Sequence, residues 1–496
     1  CNSGDISGDD RKNELFINNG DGTFSEQAQS YGLADSGYSI HSSFFDYDKD
    51  GDLDMYLVNN SYKAIGSFDL TINQRHLRDS IGGDKLFKNE NGQFIDVSEA
   101  AGIYGSEIGF GLGVTVADID NDGWLDIYIS NDFFDRDYLY INNREGGFEE
   151  QLEDQIKSIS AASMGADIAD LNNDGLMEIF VTDMLPSKNA RVKTVTTFDS
   201  WERYVNSASN GYWHQFTRNT LQYNNGDHTF SEIGRYAGLH ASDWSWAALM
   251  FDFQNNGLKD VFISNGIYQD LTDQDFLAYA SQEEVVMRII SGTNVDFQTL
   301  IDYIPSRPIS NHAFLNNGDL TFTNQADALG LAEPSFSNGS AYGDLDNDGD
   351  LDLVVNNTNM TSFLFENNAN RLYPNNHYLR FVLNGQEQNT IALGTRITAE
   401  VNDSLYVLEQ MPTRGFQSSM DPRPLLGVGP NQVINKIEVR WPSGRVTVLE
   451  NVATDQEIVL NESDGRLISI PETPEPEPLY VETDSIDFPA EPHVEN

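Results

Sequence analysis

Nine residues recur five times along this 496-residue chain. The copies begin at Asp46 (DYDKDGDLD), Asp118 (DIDNDGWLD), Asp170 (DLNNDGLME), Asp252 (DFQNNGLKD) and Asp344 (DLDNDGDLD). Positions one, three, five and nine carry side-chain oxygens in every copy, and position six is always glycine. Alternating oxygens around a sharp glycine reversal suit a hard cation such as Ca²⁺. A single turn of this kind can be a surface accident; five in register inside a longer repeat define an architecture.

The expected ligands of the first loop are the side chains of Asp46, Asp48 and Asp50, the backbone carbonyl of Asp52 and the carboxylate of Asp54. The corresponding sets are Asp118, Asp120, Asp122, Trp124 and Asp126, then Asp170, Asn172, Asp174, Leu176 and Glu178. The fourth loop offers Asp252, Gln254, Asn256, Leu258 and Asp260, and the fifth Asp344, Asp346, Asp348, Asp350 and Asp352. Calcium affinity falls with ligand charge. Loop four keeps only two acids, so four to five ions are expected, with the Asp252 loop the one in question and loop three intermediate. Several carboxylates within a few ångströms repel one another without metal. Bound calcium is therefore expected to be structural rather than catalytic, the bland alternative being ordinary Asp/Gly turns.

A second motif travels with the loops: NELFINNGDGTF (13–24), DKLFKNENGQF (84–94), DYLYINNREGGF (137–148), NTLQYNNGDHTF (219–230), HAFLNNGDLTF (312–322) and a weaker SFLFENN (362–368). Each reads as a strand, an Asn/Gly/Asp turn that tolerates positive φ, and a second strand opening on Phe. β-branched and aromatic residues flank the acidic loops, which argues against helix-flanked EF-hands. One unit is thus about four strands, and four-stranded units in series predict an all-β propeller. Insertions interrupt it at 59–84, 183–218 and 265–312. The last should hold two helices, one capped by the Thr272/Asp275 pair and one running from Asp296 to Pro305. The pattern stops near Tyr373, giving a propeller over 1–372. Alternating strands without acidic loops then form a small β-sandwich-like domain (373–463), followed by a Pro/Glu-rich linker (464–496).

The loops and hairpins resemble FG-GAP/VCBS repeats, the calcium-bearing blades of integrin α-subunit propellers and many bacterial surface proteins. The segments GTRITAEV (394–401), QMPTRGFQSS (410–419), LLGVG (425–429) and VRWPSGRV (439–446) resemble the ASPIC/UnbV domain. Their combination is similar to the cartilage acidic protein family and its large bacterial relatives, especially those of Bacteroidota. The resemblance implies a seven-bladed propeller, of which this chain would hold five blades and part of a sixth. The first hairpin has no acidic loop before it, which favours reading Cys1 as a truncation point over a lipidated N-terminus. The end at 484–496 resembles the opening of a further repeat region.

Composition bounds function. Seventy-eight Asp plus Glu face 29 Lys plus Arg, a net charge of −49. Five Ca²⁺ ions would leave about −39 by simple subtraction, a field that repels nucleic acid and anionic membrane surfaces. No run of eighteen apolar residues exists, so no transmembrane helix is expected. The eight histidines show no HExxH spacing, and no GxSxG, P-loop or dinucleotide fingerprint occurs. The expectation is a non-enzymatic, exported or cell-surface calcium-binding module for a protein or glycan ligand. The alternatives are a lectin or polysaccharide-degrading enzyme with a site among the insertions, and a structural spacer in a larger surface protein. Trp201, Tyr204, Tyr212 and Trp213 form either a sugar-stacking platform or a packed plug over the propeller face. Trp244 and Trp246 read as core. Arg414 and Gln417 lie in the most recognisable ASPIC/UnbV stretch, where binding and turn-building readings both stand.

Overall fold

The computed structural model describes residues 11–63, 71–195, 201–291, 297–402 and 404–467. The expectations for Cys1, the Pro/Glu-rich segment beyond 467 and the region 484–496 lie outside them. Four blades are four-stranded antiparallel sheets whose strands pair in chain order. Blade one is Ser39–Phe45, Asp54–Asn59, Lys85–Glu90 and Gln93–Asp96. Blade two is Gly111–Ala117, Asp126–Asn131, Tyr138–Asn142 and Phe148–Glu150. Blade three is Ala166–Ala169, Glu178–Val181, Thr220–Asn224 and Phe230–Glu232. Blade four is Ser245–Phe251, Asp260–Asn265, His312–Asn316 and Phe322–Asn324. Blade five has three strands, Ser337–Gly343, Asp352–Asn357 and Phe363–Phe365. The first hairpin, Phe16–Asn18 with Phe24–Glu26, stands as a two-stranded sheet.

The first strands of the blades pack on one another in chain order. Gly111–Ala117 and Asp126–Asn131 bury every residue, the apolar majority interrupted by Thr115, Asp126, Ser130 and Asn131. Phe45, Tyr56, Val114, Ile127 and Tyr140 fill one inter-blade core, and Phe180, Leu221, Met250, Ile263 and Phe314 another.

The hairpin motif proves to be more than a turn. The first Asn of each pair donates its backbone N–H to the position-nine carboxylate: Asn89 to Asp54 (2.8 Å), Asn142 to Asp126 (2.8 Å), Asn316 to Asp260 (2.9 Å) and Asn367 to Asp352 (2.8 Å). Its side-chain amide then joins two blades. Asn142 donates to Leu125 O of its own loop and Tyr47 O of the loop before. Asn316 does the same with Lys259 and Leu171, Asn367 with Leu351 and Phe253, and Asn224 with Met177 and Ile119. Buried carbonyls need such donors.

The acidic loops join first and second strands, so the second-to-third connections that carry the insertions leave from the opposite end of each blade. Among the described residues of 265–312 the chain forms three helices rather than two: Gln274–Ala280, Glu283–Ser291 and Phe297–Tyr303. Asp273, not Thr272, is the cap of the first, accepting from the N–H groups of Asp275 and Phe276. An Asp one residue later outcompetes Thr as an acceptor at that corner. Two further helices, Asn189–Val195 and Trp201–Ser209, occupy the second insertion.

Residues 378–467 build a three-stranded sheet (Leu425–Gly427, Tyr378–Asn384, Gln456–Asn461) and a five-stranded one (Ser404–Glu409, Arg396–Val401, Val433–Arg440, Arg445–Ala453, Arg466–Leu467). Phe381, Ile397, Ile437 and Trp441 lie between them. This unit also completes the cores of the blades: Leu393 and Met411 join one, Val407 a second, and Phe416, Met420 and Leu425 a third. Sequence periodicity shows strands, not what they lean against, so this contact was invisible in it.

Candidate metal centres

Position four of every loop has left-handed backbone: Lys49, Asn121, Asn173, Asn255 and Asn347 all have φ between 55° and 63°. Asparagine tolerates that conformation best among residues other than glycine. Three of these asparagines also link consecutive loops through Nδ2: Asn121 to Gly175 O (3.2 Å), Asn173 to Gly257 O (2.9 Å) and Asn255 to Gly349 O (2.8 Å). Lys49 instead lies 4.3 Å over the Trp124 ring. The loops therefore form one connected face.

Carboxylate oxygens of Asp46, Asp48 and Asp50 converge within 4.8 Å, as do those of Asp118, Asp120 and Asp122, and of Asp344, Asp346 and Asp348. The position-nine residues do not join these groups. Asp54, Asp126, Asp260 and Asp352 each accept two backbone N–H groups, one from position two of the same loop and one from the hairpin asparagine. Glu178 accepts from Leu171 N (2.9 Å). In this structure position nine braces two strands. The side chain of Asp52, expected to offer only its carbonyl, is partly buried, and burial together with Asp50 pushes its carboxyl up to about 6.

Whether the loops suit a cation is tested by their lone pairs. In loop one Asp46 Oδ1, Asp48 Oδ1 and Asp52 Oδ1 are buried without a donor, and in loop two Asp118 Oδ1. Among the expected ligands, Glu178 Oε1 is the one such oxygen in loop three and Asp350 Oδ1 the one in loop five, while the position-four amides Asn121, Asn173 and Asn255 each leave Oδ1 without a donor. Buried oxygens without donors are costly, and a hard cation satisfies several at once. Loops one and two fit. Burial drives the carboxyl of Asp46 up to about 7 and that of Asp118 up to about 8, the latter helped by Glu409. Each of the three loops with converging acids also has a basic partner: Lys88 on Asp48 in loop one, Arg144 on Asp122 (2.5 Å) in loop two, and Arg380 on Asp344 in loop five, where alone the base comes from the ASPIC/UnbV unit.

Loop four differs throughout. Asp252 accepts from Gln254 N (3.0 Å), Asn256 N (3.1 Å) and Gly257 N (2.6 Å). Gln254 Oε1 accepts from Asn256 Nδ2 (3.0 Å), and Asn256 Oδ1 from Leu258 N (2.8 Å). Position eight, which is Leu or Met in the other four loops, is Lys259, donating to Asp170 O (2.8 Å) and Val407 O (3.2 Å). No candidate ligand of loop four keeps an unused buried oxygen.

The remaining expected residues divide. Arg414 is half-buried, paired with Asp167 at 2.8 Å and donating to Ile168 O at 2.7 Å, while Gln417 is exposed. Gly415 N donates to Ala166 O, so the 413–419 stretch lies against the first strand of blade three. Tyr212 is buried with its hydroxyl donating to Ile72 O (3.2 Å), and Trp213 donates to Ile156 O (2.9 Å). Both are plugs. Trp201 is 75% exposed and lies in a ring series with Tyr204 (5.3 Å) and then Phe216 (5.6 Å). Trp246 packs on Phe416 at 4.8 Å, and Trp244 beside it is half-buried. Sequence reasoning missed the hairpin asparagines and Lys259. The signals were present: an Asn invariant in six copies, and one lysine at an otherwise apolar position.

Stacked four-stranded blades with acidic turns on one face define a propeller-type repeat protein. Compared with known families, the FG-GAP-like repeat matches residues 6–57, 69–129, 118–181 and 302–355, covering every loop but the fourth, and ASPIC and UnbV matches 385–467. The chain thus contains FG-GAP-like repeats followed by an ASPIC/UnbV domain. Among solved structures it is similar to an Agrocybe aegerita lectin described as recognising non-reducing terminal N-acetylglucosamine (15% identity, 72% of this chain and 75% of that one, TM-score 0.33). It is also similar to the exotype rhamnogalacturonan lyase YesX (12% identity, 93% and 69%, TM-score 0.33). Comparison with curated proteins gives no match.

Proposed function

We propose that this chain is a calcium-stabilised propeller that binds a protein or glycan partner at the cell surface through its insertion face. The observation that carries this reading is the division of labour between the two ends of the blades. The acidic-loop end is occupied by the ASPIC/UnbV unit, as Arg396 donates to Gly175 O and Arg423 to Asp344 O. The other end presents the insertions. These are locked together by Arg75 with Asp135 (2.7 Å) and by Arg191 with Asp243 (3.0 Å) and Asp270.

Asp46, Asp48 and Asp50, and Asp118, Asp120 and Asp122, would hold the ions. A bound Ca²⁺ supplies positive charge that offsets their mutual repulsion. The chain's own residues do the rest: position-nine carboxylates fix the strand spacing, and the hairpin asparagines hold neighbouring loops in register.

The Trp201–Tyr204–Phe216 series, exposed at Trp201 and Phe216 and half-buried at Tyr204, favours a glycan over a flat protein surface, because sugar rings stack on aromatic faces. The test is a glycan array with a parallel reducing-sugar release assay, using the wild-type chain and Trp201→Ala. Binding that Trp201→Ala abolishes, with no sugar release, supports a lectin-like module. Release points to an enzyme, and silence in both assays removes the glycan reading.

A further inference from the structure

We propose that calcium at loops one and two fastens the ASPIC/UnbV unit to the propeller, whereas loops four and five hold it without metal. The inference rests on the calcium reading above and concerns what the ions control. All five loops touch this second unit, but with opposite chemistry at the two ends of the series.

At loops one and two the approaching groups are acids. Glu387 lies against Gly51, its carboxylate filling the space a Cβ would take there. Glu409, with its side chain 4% exposed, accepts from Asp118 N at 3.3 Å and is tied to Arg396 at 3.1 Å. These carboxylates face loops that already hold three converging acids each and the unpartnered oxygens of Asp46, Asp48 and Asp118. Acid against acid, buried at Glu409 and exposed at Glu387, opposes docking, offset in part where Arg396 pairs with Glu409. A divalent ion in each loop reverses the sign of the contact.

At loops four and five the approaching groups need no ion. Lys259 donates from loop four to Val407 O, the Tyr406 ring covers Gly257, and Gly429 N donates to Asn255 O at 2.9 Å. Arg380 pairs with Asp344, and Arg423 donates to Asn347 Oδ1 and Asp344 O, both at 3.0 Å. Between the two ends, Arg396 donates to Gly175 O of loop three at 2.8 Å. One side of the interface is thus metal-dependent and the other permanent, the geometry of a hinge.

The test is hydrogen exchange of the full chain in millimolar calcium and in EDTA, with bound calcium counted independently by elemental analysis. Chelation should speed exchange at least tenfold in 385–395 and 409–412, the segments that meet loops one and two, while 405–408 and 423–429 keep their protection. The strands Ser245–Phe251 and Asp260–Asn265 should stay protected. Glu409→Gln should shrink that difference several-fold by removing the acid that meets loop two. Calcium bound in stoichiometric amount with unchanged protection of 385–395 and 409–412 overturns the inference and leaves the calcium reading standing. A uniform rise that includes 245–265 overturns it too, since chelation would then loosen the whole fold. No bound calcium at all removes the calcium reading, and the inference with it.

Discussion

Loops two and four share one frame. Each puts a left-handed asparagine at position four and glycine at six, and each has a position-nine aspartate accepting two backbone N–H groups and a hairpin asparagine reaching back one blade. They differ in what fills the frame. Loop two brings Asp118, Asp120 and Asp122 together and leaves an oxygen of Asp118 bare, whereas loop four satisfies Asp252, Gln254 and Asn256 among themselves and adds Lys259. The backbone geometry of such a loop therefore does not require an ion. The frame is held by the braces around it, and the charge inside decides whether metal is needed.

The frame itself gives the largest expected effect. Asn142→Ala and Asn316→Ala each strip two buried carbonyls of their donor, and each should cost about 2–4 kcal/mol in denaturant unfolding. If the two losses differ widely, the frames are not equivalent and the comparison breaks. Next, Lys259→Met should lose about 1–3 kcal/mol, equally with and without calcium, because it removes charged hydrogen bonds to two carbonyls. A loss confined to calcium-free buffer would mean that the lysine serves the metal loops instead. Calcium itself should add about 1.4 kcal/mol per occupied site at ten times Kd. Counting ions by native mass spectrometry, Asp118→Asn should lower the number by one and Asp252→Asn should leave it unchanged.

The smallest effect is on pH dependence, and its sign follows from burial. Asp46 and Asp118 are raised to about 7 and about 8, while Asp252, which accepts three N–H groups and lies near Lys259, reaches only about 6. A carboxyl raised in the folded state binds its proton more tightly there than when unfolded. Its contribution is full below the unfolded pKa near 4 and is lost as pH rises through the folded value. Calcium-free protein should therefore lose stability as pH rises from 6 to 8. Asp118→Asn should flatten that slope and Asp252→Asn should hardly alter it, as thermal melts in EDTA would show.

Much of this was legible in the chain. The DxDxDGxxD spacing located all five loops, and the alternating hairpins gave the blades, because both signals are local. The helix Glu283–Ser291 escaped because no capping residue announced it, and Thr272 drew attention away from Asp273. The meeting of Glu409 with Asp118 and of Arg414 with Asp167 spans more than 240 residues. Sequence spacing carries no such information. The weakness expected of loop four followed from its lost acids, but the lysine that fills the gap becomes meaningful only beside Asp170 and Val407.

The backward reach of the hairpin asparagines bears on how the chain assembles as it leaves the ribosome. Tyr47 O of blade one waits for Asn142, Ile119 O for Asn224, Leu171 O for Asn316 and Phe253 O for Asn367. Every newly made blade thus seals its predecessor, in the manner of a zip closing from the N-terminal side. Interrupting synthesis should always strand the most recent unit unsealed, whichever codon the stall falls on.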